Sequence, residues 1–192
     1  MLWLCLALGV LALTGIDQLT KWLAVTYLQG QPIVLIDGVL ELRYSENDGA
    51  AWGMFSGARW PLIVFTILLM ALVVGLLLSR RFRSYKLAGI AGCLILAGGL
   101  GNLIDRVFRG FVVDFVYVRL IDFPIFNVAD CCVVIGAALM LIFLMFVYRE
   151  SPPPVAEEGE DTGEPIPQKG EEQQADETGN MDGPSGTDGP EA

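Results

Sequence analysis

Residues 60–86 read WPLIVFTILLMALVVGLLLSRRFRSYK. Residues 60–78 carry no charge, and a helix of about 20 apolar residues crosses the ~30 Å hydrocarbon core of a bilayer. Directly after them, Arg80, Arg81, Arg83 and Lys86 crowd into one short turn. Such a basic turn faces the cytoplasm by the positive-inside rule. Working outward, residues 87–104 hold Asn102 as their one strongly polar side chain, and residues 128–148 are interrupted only by Asp130 near their start. Residues 2–16 form a shorter apolar run that reaches Tyr27 if Asp17 and Lys21 are tolerated. A cleavable signal peptide would need a basic leader and a small-x-small cleavage site, and neither is present. The reading is an all-α membrane protein with four transmembrane helices. Both termini are then cytoplasmic, and the two longer connections, about 28–59 and 105–127, share the outer face.

Composition agrees and removes whole classes of function. The chain has 192 residues, 54% hydrophobic and 18% charged, with a net charge of −10. That charge is not evenly spread. Residues 1–148 hold 10 basic and 9 acidic residues, whereas residues 149–192 hold 2 basic and 13 acidic, with seven of the ten prolines and no aromatic. The expected domains are therefore a membrane domain over 1–148 and a disordered acidic cytoplasmic tail over 149–192. No basic patch interleaves with aromatics, which argues against a nucleic-acid partner. Zero histidines excludes Ser-His-Asp and Cys-His catalysis and zinc sites of the His-Glu-x-x-His type. Cys5, Cys93, Cys131 and Cys132 lie in apolar runs and lack zinc spacing, so no metal is expected. Asp161-Thr162-Gly163 and Gly183-Pro184-Ser185-Gly186 mimic protease signatures, but in the acidic tail they lack the structural setting such motifs need.

The outer connections are too apolar for idle loops. Residues 32–44 read as two short strands around Asp37-Gly38, a hairpin signal. Residues 111–120 are rich in Val, Phe and Tyr and fit a strand or a short helix; periodicity does not decide between them. A small β-cradle at the outer membrane surface is expected. Intramembrane charge is costly and needs a reason. Here Asp17, Gln18, Lys21, Glu46, Asn47, Asp48, Asn102, Asp105, Arg106, Asp114, Asn127 and Asp130 all fall at one level near the outer face. Asp17 and Lys21 are four apart on one helix face and can pair, which by itself reads as a neutral anchor at the interface. Asn102, Asp105 and Arg106 share one edge of a helix end that could snorkel to the headgroups. Upstream, Ala88, Gly92 and Gly99 have the spacing of close helix packing. Asn127 can cap the fourth span, with Asp130 in its first turn. Asp114 sits alone among seven apolar residues, where a carboxylate must be partnered or protonated. Two such carboxylates can divide acid and base roles if one is desolvated and the other stays ionised. A small channel, transporter or assembly subunit is the competing reading, but it would usually set ionisable groups along the depth of the bundle.

Five ordered blocks then carry a resemblance: Asp17-Gln18-x-x-Lys21, Asn47-x-Gly49-Ala50-Ala51-Trp52-Gly53, Gly101-Asn102-x-x-Asp105-Arg106, Val113-Asp114-Phe115 and Phe126-Asn127-x-Ala129-Asp130. Over about residues 1–148 the chain resembles the lipoprotein signal peptidase (signal peptidase II) family. It departs at Trp52, where Phe is more usual, and at Cys131, where a small polar residue is. The resemblance implies a bacterial inner-membrane aspartic endopeptidase with an extracytoplasmic active site and no cofactor. Its substrates would be prolipoproteins, cleaved just before the diacylglyceryl-modified cysteine, with membrane lipids around it and globomycin as an inhibitor. Carried over by position, Asp114 and Asp130 become the catalytic pair. Asn47, Asn102, Arg106 and Asn127 become substrate-positioning residues, and Asp17, Lys21 and Asp105 supporting ones.

Overall fold

The computed structural model describes residues 2–49, 57–80 and 82–148. The acidic tail 149–192, and residues 50–53 of the second block, lie outside the described residues. Four helices are long and apolar enough to span a membrane. They are α1 (Leu2–Tyr27), α2 (Arg59–Leu78), α3 (Lys86–Phe108) and α4 (Val128–Ile142), the last continued by a π-helical segment, Phe143–Tyr148. Leu4, Phe65, Leu68, Leu72, Val134 and Ile135 all point outward and exposed. Each would forgo about 1.5–3 kcal/mol in water. Lipid removes that cost.

α3 is the central helix, packed by α1, α2 and α4, because its glycines let neighbours approach. A Cβ on Gly98 would run into the Ala129 carbonyl, and one on Gly136 would lie 2.8 Å from the Ala91 carbonyl, so α3 and α4 touch backbone to backbone. Gly92 and Gly99 face α2 instead, against Leu77 and Met70. Away from the sheet, Phe143 packs on Phe82 and Tyr85 at centroid distances of 5.4 and 5.1 Å and closes that end of the bundle.

The connections form one three-stranded antiparallel sheet in the order β1 (Ile33–Ile36), β2 (Leu40–Asn47), β3 (Val112–Val118). Asp37-Gly38 makes the first turn, with Gly38 at φ +70°, a conformation that favours glycine. Residues 111–120 resolve into a strand followed by a 3₁₀ turn, Arg119–Ile121. The strand wins because β2 offers a free edge, along which Leu40 pairs with Val118 and Asn47 with Val112. A bulge between Leu42 and Ser45 shifts the register, so that Ser45 opposes Asp114. Beyond β3, Phe126 exchanges two backbone hydrogen bonds with Val116, at 2.9 and 3.0 Å. That bridge delivers Asn127, one residue on, to the start of α4 beside the sheet.

Candidate active site

A cleft of about 810 Å³ opens between the sheet and the head of α4. Asn47, Asn102, Arg106, Asp114 and Asp130 line it. Asp114 reaches it from β3. Because Ser45 opposes Asp114 and Asn47 opposes Val112, Asn47 is its diagonal neighbour on the same sheet face. Asn47 Nδ2 donates to Asp114 Oδ2 at 2.9 Å, and Asn127 Nδ2 donates to Oδ1 at 2.6 Å. Asp114 is buried, and burial pushes its carboxyl up to about 6, helped by the negative charge of Asp130; the two amides and Lys21 pull the other way.

Asp130 comes from the first turn of α4. Asp130 N donates to Asn127 Oδ1 at 2.9 Å, and Asn127 N donates to Asp130 Oδ2 at 3.1 Å, which makes a reciprocal capping box. The capping role expected from spacing is present. It leaves Asp130 Oδ1 facing the cleft, where Asn102 Nδ2 donates to it at 2.8 Å. Asn127 therefore touches both carboxylates, Asp114 through its side-chain amide and Asp130 through its backbone.

Asn102 and Arg106 face the cleft from α3, whereas Asp105, expected on the same edge, turns inward. Arg106 Nη2 donates to the Gly49 carbonyl at 3.0 Å, and Gly49 N donates to Asn47 Oδ1 at 3.0 Å. Asp105 is fully buried, with Lys21 Nζ 3.2 Å from Oδ2 and Arg109 Nε 3.3 Å from Oδ1. Lys21 Nζ also lies 2.9 Å from Asp17 Oδ2 and donates to Asn102 Oδ1 at 2.8 Å. The Asp17–Lys21 pair thus forms, but as a buried junction of α1 with α3 rather than an interfacial anchor. A buried ammonium is tolerated only when its charge and donors are matched, and three acceptors do so here.

Other residues escaped the sequence reading. Arg59 Nε donates to the Arg106 carbonyl at 2.7 Å and Arg59 Nη2 to the Val107 carbonyl at 2.8 Å, so α2 satisfies the otherwise open C-terminus of α3. Its only signal was a lone cation heading a charge-free span. Arg43 and Tyr117 also line the cleft, the guanidinium 4.7 Å from the ring centroid. Glu41, buried beneath, holds Arg43 at 2.9 Å and Arg119 at 2.8 Å, and these guanidiniums keep its carboxyl below the usual range.

The family model of signal peptidase (SPase) II matches residues 9–146. The lipoprotein signal peptidase of Geobacillus thermodenitrificans (strain NG80-2) is 44% identical over 139 residues, 70% of this chain and 86% of that protein. That of Anoxybacillus flavithermus (strain DSM 21510 / WK1) is 47% identical over 131 residues, 67% and 77% of the two chains. A bacterial membrane enzyme solved by the in meso method at 2.3 Å superposes with a TM-score of 0.67 at 34% identity, covering 73% of this chain and 87% of that one. A match of this extent, reaching into all four spans, shows that the chain belongs to the signal peptidase II family of aspartic membrane peptidases.

Proposed function

We propose that this multi-pass inner-membrane protein removes signal peptides from prolipoproteins, cleaving just before the diacylglyceryl-modified cysteine, with Asp114 and Asp130 as the catalytic pair. One observation carries the assignment: both carboxylates line one cleft and share Asn127. The roles divide by environment. Asp114, the desolvated partner, holds the proton. Asp130 sits at a helix N-terminus, which stabilises negative charge, and serves as base. It takes a proton from water as the water oxygen attacks the scissile carbonyl carbon, and Asp114 gives its proton to the carbonyl oxygen. Asp130 then passes its proton to the leaving amide nitrogen while Asp114 recovers its own, so both carboxyls return to their starting states. Arg106, Asn47, Asn102 and Asn127 position substrate and carboxyls.

The orientation supported by the basic turn puts both termini in the cytoplasm and the β-cradle, with the cleft, on the extracytoplasmic side. The diacylglyceryl chains would lie in apolar grooves among membrane lipids, and globomycin would compete for the same cleft. The acidic residues 149–192 are read as a solvated extension outside the catalytic domain 1–148. The test is cleavage of a purified prolipoprotein by Asp114→Asn and Asp130→Asn variants that still insert in the membrane. Each is expected to abolish turnover, since an amide cannot cycle the proton. Turnover within about tenfold of the unaltered enzyme, a barrier change of only ~1.4 kcal/mol, would remove that residue from the pair.

A further inference from the structure

The catalytic assignment leaves a fully buried ammonium unexplained. Lys21 has 0% exposure, and its two carboxylate partners, Asp17 and Asp105, have 1% and 0%. What those partners also hold gives the cluster a purpose. Asp17 Oδ1 accepts the backbone N–H of Ala129 at 2.9 Å, and Ala129 immediately precedes Asp130. Asp105 Oδ2 accepts the backbone N–H of Val113 at 3.0 Å, and Val113 immediately precedes Asp114. The third acceptor of Lys21, Asn102 Oδ1, belongs to the amide whose Nδ2 donates to Asp130. Three separate supports of the two aspartates therefore meet at one nitrogen.

We infer that Lys21 is the positioning residue that locks Asp114 and Asp130 in mutual register, acting through Asp17, Asp105 and Asn102. Each contact has a distinct consequence. An Asn side chain can present either its oxygen or its nitrogen to a carboxylate, and only the nitrogen binds it. With Lys21 donating to Oδ1, Asn102 has a single satisfied orientation, the one that gives Asp130 a donor. Asp17 and Asp105 each accept a backbone amide, and two carboxylates that converge on one point repel unless a cation lies between them. Lys21 is that cation. It thereby ties the backbone of α4, just ahead of Asp130, to the backbone of β3, just ahead of Asp114. These elements also meet at the Phe126 bridge and through Asn127, and the junction supplies a further tether between them.

The inference rests on the catalytic reading above, and the experiment separates the two. Lys21→Met is compared with Lys21→Met/Asp17→Asn, which removes the ammonium without leaving an excess buried negative charge. Asp114→Asn and Asp130→Asn serve as controls. Turnover of a prolipoprotein is expressed per folded molecule, with the folded fraction taken from size-exclusion chromatography and thermal melting. Both Lys21 variants are expected to lose kcat by about 100-fold, the scale of an ångström-level misplacement, with KM within about threefold of the unaltered enzyme. The inference is overturned if the charge-compensated variant keeps kcat within about threefold. It is equally overturned if the loss lies in KM, or vanishes once turnover is counted per folded molecule. Active Asp→Asn controls would instead sink the catalytic reading itself.

Discussion

Replacing Asn127 by Ser separates two functions that this residue combines. Its backbone and Oδ1 form the capping box of α4, while its Nδ2 donates to Asp114 at 2.6 Å and to Asn102 at 3.2 Å. Serine caps helices about as well as asparagine, so Asn127→Ser keeps the cap and deletes the amide donor. Asn127→Ala deletes both. Asp114 becomes charged as it gives up its proton in the transition state, and a hydrogen bond to a charged group contributes about 1.5–3 kcal/mol, so Asn127→Ser is expected to lower kcat/KM roughly 10- to 150-fold. Its melting should stay close to that of the unaltered protein, whereas Asn127→Ala loses a further ~0.5–2 kcal/mol of stability. A pH signature accompanies the loss. Burial and Asp130 raise the Asp114 carboxyl to about 6, and the Asn127 donor works against them by stabilising the charged form. Removing that donor raises it further. With Asp114 as the acid, activity falls as pH rises through its titration, so the alkaline limb of kcat/KM should move above about pH 6 in Asn127→Ser. The assay is cleavage of a fluorescent lipopeptide in detergent from pH 4.5 to 8, beside thermal melts of all three proteins. An Asn127→Ser enzyme with unchanged kcat/KM and an unmoved limb would refute the amide's role. A melting loss as large as that of Asn127→Ala would refute the separation from the cap.

Arg106→Lys should cut kcat/KM by at least about tenfold despite conserving charge, because a point-like ammonium cannot replace a planar guanidinium that reaches both the Gly49 carbonyl and the cleft; normal kinetics would reduce Arg106 to a general positive charge. Gly101→Ala places a Cβ against Asp17 Oδ2 and 3.2 Å from the Ala129 Cβ, where the Lys21 junction leaves no slack. It should cost about 1–3 kcal/mol in denaturant or thermal unfolding, and an unaffected variant would contradict the close approach of α1, α3 and α4. A chain ending after Arg149 should cleave prolipoprotein at the full-length rate in proteoliposomes, since residues 149–192 hold 13 acids, seven prolines and no aromatic. A several-fold loss of turnover would show that the acidic stretch supports catalysis.

The four spans were legible because the hydrocarbon thickness imposes a length and an apolar composition that few other structures need. The first hairpin was legible because Asp37-Gly38 supplies a local turn geometry that the flanking residues merely extend. The capping box of α4 was legible as well, since Asn127 and Asp130 meet across three residues of their own helix. Each of these depends on near neighbours in the chain. Residues 111–120 were not decidable in the same way. Their strand form comes from pairing with β2, more than sixty residues away, and the bulge that sets Asp114 opposite Ser45 exists only in that pairing.

The polar residues show the same division. Spacing placed Lys21 beside Asp17 on one helical face, but helical periodicity cannot say which neighbour covers that face. Only the packing of α3 against α1 brings Asp105 and Asn102 to the same nitrogen and turns a surface pair into a buried junction. Asn102, Asp105 and Arg106 looked like one polar edge. A turn of 100° per residue is enough, once α3 is surrounded, to send the first and last into the cleft and the middle one to the core. Sequence by itself thus determined the membrane-spanning architecture and the residues competent for chemistry, because those follow from local composition and the bilayer's dimensions. Tertiary structure alone decided which of them meet, since a hydrogen bond of 2.8 Å between residues 81 positions apart is specified by the packing of whole helices.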